Sequence, residues 1–281
     1  MTREKICLID VGARDGIDPR WQNYWDMLEV IAFEPDPTEC ARLNAQTLPY
    51  PIRYIPNARG AVNNQQATLH LTHQPGCSSL LKPNLALCNQ FTYGVAMSVV
   101  KEIPLTVSRM DSVLTVQPDV IKVDTQGTEL DVLQGAGALL DRTLAVELEV
   151  EFVPQYIDQP LFADVDSFMR GRGFVLRGIR RTYWRNKATS YAHASGGQLI
   201  HGDALYIRQD AMNNPKGHAI LAAYRQYDLL AHFGATHLVP KPSKFLQFIG
   251  KVIGKPNREL RRLVDSMRPV SASDWHDPDF F

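Results

Sequence analysis

Ile9-Asp10-Val11-Gly12-Ala13-Arg14-Asp15-Gly16 carries an apolar run into a turn with two glycines. A second apolar run, Ile31-Ala32-Phe33, ends on a lone acid in Glu34-Pro35-Asp36-Pro37. Glu34 follows Asp10 by 24 residues. Glycines after a first strand let backbone approach a ligand, and an acid closing the second strand accepts hydrogen bonds from ribose hydroxyls. The pairing suits a nucleoside-type cofactor. The turn is not GxGxxG, because the third glycine of dinucleotide sites has no counterpart. Asp10, two residues before Gly12, would repel a pyrophosphate but hold an ammonium group. That tilts the choice from a dinucleotide toward S-adenosylmethionine. An ordinary strand and turn would carry the same glycines, and Glu34 also reads as a solvated loop acid. Asn57-Ala58, after a third strand, reads as an adenine contact or as a plain turn. The run Val120-Ile121-Lys122-Val123-Asp124 is a central strand whose last acid faces the same crevice. Glu129 beyond it reads equally as a first-turn acid favoured by the helix dipole.

These residues need a sheet to bring them together. Strands are predicted over 6–11, 30–34, 52–55, 119–124, 144–149 and 174–179, several of them continuous apolar runs as in strands covered on both faces. Helices are predicted over 37–48, opened by a proline, and over 128–140. Alternating strand and helix predicts an α/β domain with a mostly parallel sheet. Residues 67–72 and 103–107 alternate polar and apolar, predicting an antiparallel pair around an insertion at 74–101. Residues 202–208 read as a last strand, antiparallel to 174–179 at the sheet edge. The domain spans 1–211. A helical C-terminal extension follows over 212–269, with amphipathic segments at 220–233 and 244–255, then a flexible tail over 270–281.

In this order the motifs resemble the FkbM-type methyltransferases. The resemblance rests on Asp10-Val11-Gly12-Ala13, Phe33-Glu34-Pro35-Asp36-Pro37, Cys77-Ser78-Ser79-Leu80, Met110-Asp111-Ser112-Val113-Leu114, Ile121 to Glu129, Val132-Leu133-Gln134-Gly135-Ala136 and Gly202-Asp203-Ala204-Leu205-Tyr206. It covers roughly residues 6 to 208. It implies a Rossmann-like class I methyltransferase fold, S-adenosylmethionine as cofactor, and O-methylation of a sugar, glycan or secondary-metabolite hydroxyl. Asp10, Gly12, Ala13 and Gly16 would then form the cofactor loop, Glu34 and Pro35 the ribose contact, Asn57 and Ala58 the adenine edge, and Asp124 the group beside the methyl. The commoner family form has Glu at the position of Gln126, so no acid–base or metal duty is assigned there.

Methyl transfer displaces a neutral thioether in line. The protein must therefore align the acceptor oxygen, exclude water and accept a proton. Asp124 is the first candidate base. Glu147 is an alternative: Glu147, Glu149 and Glu151 share one face if the strand extends, although strand-end solvation would explain them too. His201, beside Asp203, has a suitable ordinary pKa but reads also as structural. Asp124 with Glu129 or Glu147 offers oxygen ligands, but the sequence does not establish three that converge, so no metal is assigned.

The chain has 281 residues, 44% apolar, with 30 basic and 30 acidic side chains. Zero formal charge disfavours nucleic acid as a partner. Four cysteines without a CxxC pair fit a reduced, cytoplasmic setting, and no signal peptide or spanning segment is expected. Seven basic residues between Arg170 and Lys187 surround Tyr183 and Trp184. Arg180, Arg181 and Trp184 would grip an anionic acceptor, unless the cluster is a solvated surface. Phe245, Phe248, Ile249, Val252 and Ile253 form an apolar stripe within a basic stretch, 244–262. The stripe suits weak peripheral contact with an anionic membrane, or packing on its own domain or a homodimer partner. The rival readings are a nitrogen or RNA acceptor, and a non-catalytic cofactor-binding or assembly module. A nicotinamide oxidoreductase is disfavoured by the loop.

Overall fold

The computed structural model describes residues 4–187 and 196–240. The basic stripe at 244–262 and the tail at 270–281 lie outside the described residues. Among the described residues ten strands form two sheets. The main sheet contains β1 (Ile6–Val11), β2 (Leu28–Phe33), β3 (Ile52–Ile55), β7 (Val120–Val123), β8 (Ala145–Glu151), β9 (Val175–Trp184) and β10 (Gln198–Ile207). Its order is β3-β2-β1-β7-β8-β10-β9. β1, β2, β3, β7 and β8 pair in parallel, and β10 runs antiparallel to both β8 and β9. The antiparallel strand is therefore inserted one place in from the edge, and β9 forms the edge. Being antiparallel, β9 and β10 need no crossover connection between them.

The apolar runs exist because both faces of the sheet are covered. On one face Ile6, Leu8, Leu28, Val30 and Val120 pack against α1 (Pro37–Asn44), a 3-10 helix over Pro19–Met27, and α5 (Pro215–Ala223) and α6 (Tyr227–His232). On the other face Ile9, Val11, Ile121, Val146 and Leu148 pack against α3 (Glu129–Ala136) and α4 (Phe162–Gly171). The helices after residue 212 thus share a core with β1 and β2. The predicted helix over 220–233 is two helices. Arg225 takes a left-handed φ of 54° and turns the chain between them. The helix predicted to Leu140 stops as α-helix at Ala136, where Gly137 adopts φ 52°, and continues as a 3-10 turn.

The predicted antiparallel pair is present as β5 (Gln65–Thr72) and β6 (Val99–Ser108), joined in a small sheet by β4 (Ala58–Arg59). Between them the insertion folds into short turns and α2 (Leu85–Cys88). Its Cys77, Cys88, Phe91 and Met97 form a separate core with Tyr156, Trp184 and Ile200. That core seats the insertion over the ends of β8, β9 and β10. Among the described residues no helix is long and apolar enough to cross a membrane.

Candidate functional site

The carboxyl ends of β1, β2, β3 and β7 are tied by backbone hydrogen bonds. Gly12 and Ala13 N–H donate to the Phe33 carbonyl at 2.9 and 3.1 Å, Glu34 N–H to Ile55 at 3.1 Å, and Asp124 N–H to Val11 at 2.9 Å. Gly12 adopts φ +84°, and a Cβ there would lie 1.9 Å from the Asp124 carbonyl oxygen. Glycine is required at this crossing for two reasons at once. Gly12→Ala is expected to lower stability by roughly 3 kcal/mol or more, combining strain with the clash. A urea midpoint equal to that of wild type would show that the two loops do not touch as described.

Above this junction lies an open cleft enclosing about 820 Å³ of non-protein space. Gly12, Glu34, Pro35, Asn57, Ala58 and Asp124 line it, as do Arg14, Arg59, Ser79, Lys122, Gln126 and Thr128. Its polar groups suit a nucleoside cofactor. Glu34 ends β2 with its Oε1 accepting the Asp36 N–H at 2.8 Å. Asn57 Oδ1 and Thr128 Oγ1 are buried without hydrogen-bond partners. Arg59 stacks its guanidinium 4.3 Å over Phe33, supporting the apolar floor. Six of the nine residues assigned to the cofactor from sequence converge here. Asp10, Ala13 and Gly16 do not line the cleft. Ala13 is a core residue, 1% exposed. Gly16 lies behind the loop, where a Cβ would meet the Tyr54 hydroxyl.

Asp10 departs from its expected role. It is 2% exposed and faces Lys122 Nζ at 3.5 Å. Register places Asp10, Lys122 and Glu147 side by side across β1, β7 and β8. The protein itself therefore supplies the cation that Asp10 requires, and Lys122 carries that charge to the cleft wall. Lys122 also lies 3.7 Å from Asp124. Burial alone would lower the lysine pKa, but Asp10, Asp124 and Glu147 override it and hold the ammonium charged. Burial pushes Asp10 up, against the pull of Lys122.

Burial also raises Glu34 to about 7, opposed by the Asp36 N–H and Arg14. Ribose hydroxyls donate best to the ionised carboxylate, so binding should release a proton near neutrality. Affinity for S-adenosylhomocysteine is expected to rise from about pH 6 to about pH 8, by at most about tenfold per pH unit below the pKa. Calorimetry in two buffers of different ionisation enthalpy reads the proton directly. A pH-independent affinity would mean Glu34 is not the ribose acceptor.

The three candidate bases sit differently. Asp124 has 34% of its side chain exposed, into the cleft. Glu147 is buried at the opposite side of Lys122. It pairs with Arg20 at 3.0 Å and accepts the Tyr224 hydroxyl at 2.8 Å. Burial raises its pKa, partly offset by Arg20. Glu147 therefore holds the 3-10 segment and α5 to the sheet and does not reach the cleft. His201 Nδ1 lies 2.6 Å from Glu149 Oε1. Burial would lower its pKa, but Glu149 outweighs this and raises it. His201 joins the cleft only through a chain of contacts. Gln126 Nε2 donates to Asp124 Oδ1 at 2.9 Å and to Glu149 Oε2, while Tyr156 Oη donates to Gln126 Oε1 at 2.9 Å. The Ser79 hydroxyl from the insertion donates to the Gln126 carbonyl at 2.7 Å. Gln126, given no role from sequence, is the hub. An amide can donate to two carboxylates where a glutamate could not.

The basic cluster does not form one surface. Arg170 pairs with Asp166, Arg172 with Asp141, Arg177 with Asp228 and Arg180 with Asp203. Arg180 and Arg181 are neighbours in β9 and so point to opposite faces. Only Arg180 lines a second crevice, with Asp18, Arg20, Asn23, Tyr24 and Tyr227. Trp184 is 8% exposed and packs on Phe91 and Tyr93 at 5.7 and 5.0 Å. It is a core residue beneath the insertion, not a stacking platform for substrate.

A mostly parallel sheet with its penultimate strand reversed, carrying a glycine turn, a second-strand acid and a central-strand acid around one cleft, is the Rossmann-like arrangement of the class I methyltransferase fold. Within that class the chain belongs to the FkbM family: residues 10–176 match the family model described as methyltransferase FkbM domain. Comparison with curated proteins finds no match. Among solved structures, the chain is similar to methyltransferase FkbM from Methylobacillus flagellatus KT, with 13% identity and a TM-score of 0.41 over 72% of this chain. It spans only 43% of that protein. Magnesium protoporphyrin IX methyltransferase from Synechocystis PCC 6803, with bound SAM, shows 11% identity, TM-score 0.36, and coverage of 73% of this chain and 71% of that one. Precorrin-6y C5,15-methyltransferase from Geobacter metallireducens GS-15 shows 8% identity, TM-score 0.35, and coverage of 73% and 82%.

Proposed function

We propose that this methyltransferase acts on a hydroxyl of a sugar, glycan or secondary metabolite, with Asp124 accepting the hydroxyl proton. S-adenosylmethionine supplies, when bound, an electrophilic methyl whose leaving group is a neutral thioether. Gly12, Glu34, Asn57 and Ala58 would hold its nucleoside end. The observation that carries the reading is the carboxylate of Asp124, exposed in the cleft and fixed by Gln126 and Lys122. A hydroxyl needs such a proton acceptor, since its own acidity is far too low to lose the proton unaided. Four of the seven basic residues, Arg170, Arg172, Arg177 and Arg180, pair with acids, which favours a small acceptor over RNA.

The test uses methyl-labelled cofactor and extract from the producing cells. Label recovered as a methyl ether in ribonuclease-resistant material of the sugar or small-metabolite fraction is expected. Label in ribonuclease-sensitive material, or on nitrogen, would overturn the acceptor class.

A further inference from the structure

A group of carboxylates behind the cleft is not used by methyl transfer. Glu149 and Glu151 at the end of β8 and Glu129 at the start of α3 each place an oxygen within 4.8 Å of the others. They are 6%, 1% and 2% exposed. Glu129 is engaged by its own loop: Thr125 N–H and hydroxyl donate to Oε1 at 2.7 and 3.1 Å, and Gly127 N–H to Oε2 at 2.9 Å. Glu149 is engaged by His201 and Gln126. Glu151 differs. Its Oε1 is buried and no donor reaches it. Burial and the neighbouring acids Glu129, Glu149 and Asp124 push its pKa well up, against a hydrogen bond from its own backbone N–H. One imidazole therefore faces three buried carboxylates. Buried carboxylates persist only when paired, protonated or bound to metal.

We propose that Glu129, Glu149 and Glu151 bind a hard divalent cation of the Mg²⁺, Mn²⁺ or Ca²⁺ class. An all-oxygen ligand set selects such ions over softer metals, which prefer sulfur or imidazole. Ligand oxygens up to 4.8 Å apart match the span across a sphere with metal–oxygen distances of about 2.4 Å. The ion would take the Glu151 oxygen that the protein leaves unpaired. It would also fasten β8 to the 124–129 loop, where Gln126 and Gly127 both adopt positive φ. Its part is positioning: it orders the loop that presents Asp124 and does not touch the reacting atoms. The sequence alone leaves this site unassigned because Glu129 lies 20 residues before Glu149, and only the β7–α3–β8 crossover brings them together.

The experiment is calorimetric titration of the EDTA-treated full chain with Mn²⁺, read without any methyl acceptor. One saturable site per chain below about 1 mM is expected. Glu151→Gln should weaken it at least about tenfold, whereas Glu102→Gln, an exposed acid on β6, should leave it unchanged. If Glu151→Gln does not fold, paramagnetic broadening by Mn²⁺ in the wild-type protein serves instead: the amides of Gly127 and Val150 should broaden before that of Gly217 on α5. Absence of saturable binding would overturn the proposal and leave protons as the neutralising charge. Equal affinity in Glu151→Gln, or broadening centred on α5, would also overturn it.

Discussion

Asp124→Asn should lower turnover by about 10²- to 10⁴-fold, the usual contribution of a positioned proton acceptor, with little change in affinity for S-adenosylhomocysteine. The substitution is nearly isosteric. The amide oxygen can still accept from Gln126 Nε2, which lies 2.9 Å from Asp124 Oδ1, so loop geometry is retained. What disappears is the negative charge facing the cleft and the capacity to take a proton. Glu147→Gln should show no such split between turnover and binding, because Glu147 faces Arg20 and Tyr224 and not the cleft. Single-turnover methyl transfer with the identified acceptor reads the difference. Full turnover in Asp124→Asn would transfer the base assignment to another group.

The second large effect concerns stability. Arg20→Ala should cost about 3–5 kcal/mol. Arg20 and Glu147 have only 5% and 3% of their side chains exposed. Arg20 also pairs with Asp18 at 2.7 Å and lies 4.8 Å over the Tyr224 ring. Removing the cation strands Glu147 in the core, whose burial already disfavours its ionised form. The cost arises from the orphaned carboxylate more than from the lost attraction. Replacing both partners, as Arg20→Met with Glu147→Leu, should recover the part of the loss due to the stranded carboxylate, less the cost of leaving the buried Tyr224 hydroxyl and Asp18 without their partners. Chemical denaturation of the two single variants and the double variant tests this. A double variant as unstable as the sum of the singles would show that the pair is not an isolated unit.

The strands that carry the cofactor edge were legible because their ends are marked by residues that make poor strand, Gly12 and Gly16 after β1 and Glu34-Pro35 after β2. The bounds of β1 and β3 were legible to the residue. The neighbours of those acids were not. Lys122 sits inside an apolar run, and a strand covered on both faces gives no alternation to show which side a single charge takes. Only its register beside Asp10 and Glu147 reveals a charged row across the sheet. Trp184 misled for a related reason. An aromatic among arginines resembles a ligand surface, and nothing local says that Phe91, 93 positions earlier, will cover it. The three acids of β8 were legible as one face, but their third partner, Glu129, and the His201 contact depend on long-range pairing. Residue-type signals at strand ends therefore survive into the fold, whereas the partners of buried charges are set by topology.

The most direct test of the account is calorimetric titration of the protein with S-adenosylhomocysteine, beside Glu34→Ala and with NAD as control. Binding by wild type, none of NAD, and a loss of about 10- to 100-fold in Glu34→Ala are expected, the worth of hydrogen bonds to a charged acceptor. Equal affinity in wild type and Glu34→Ala, or preference for NAD, would contradict the placement of the cofactor in the cleft between β1, β2 and β7.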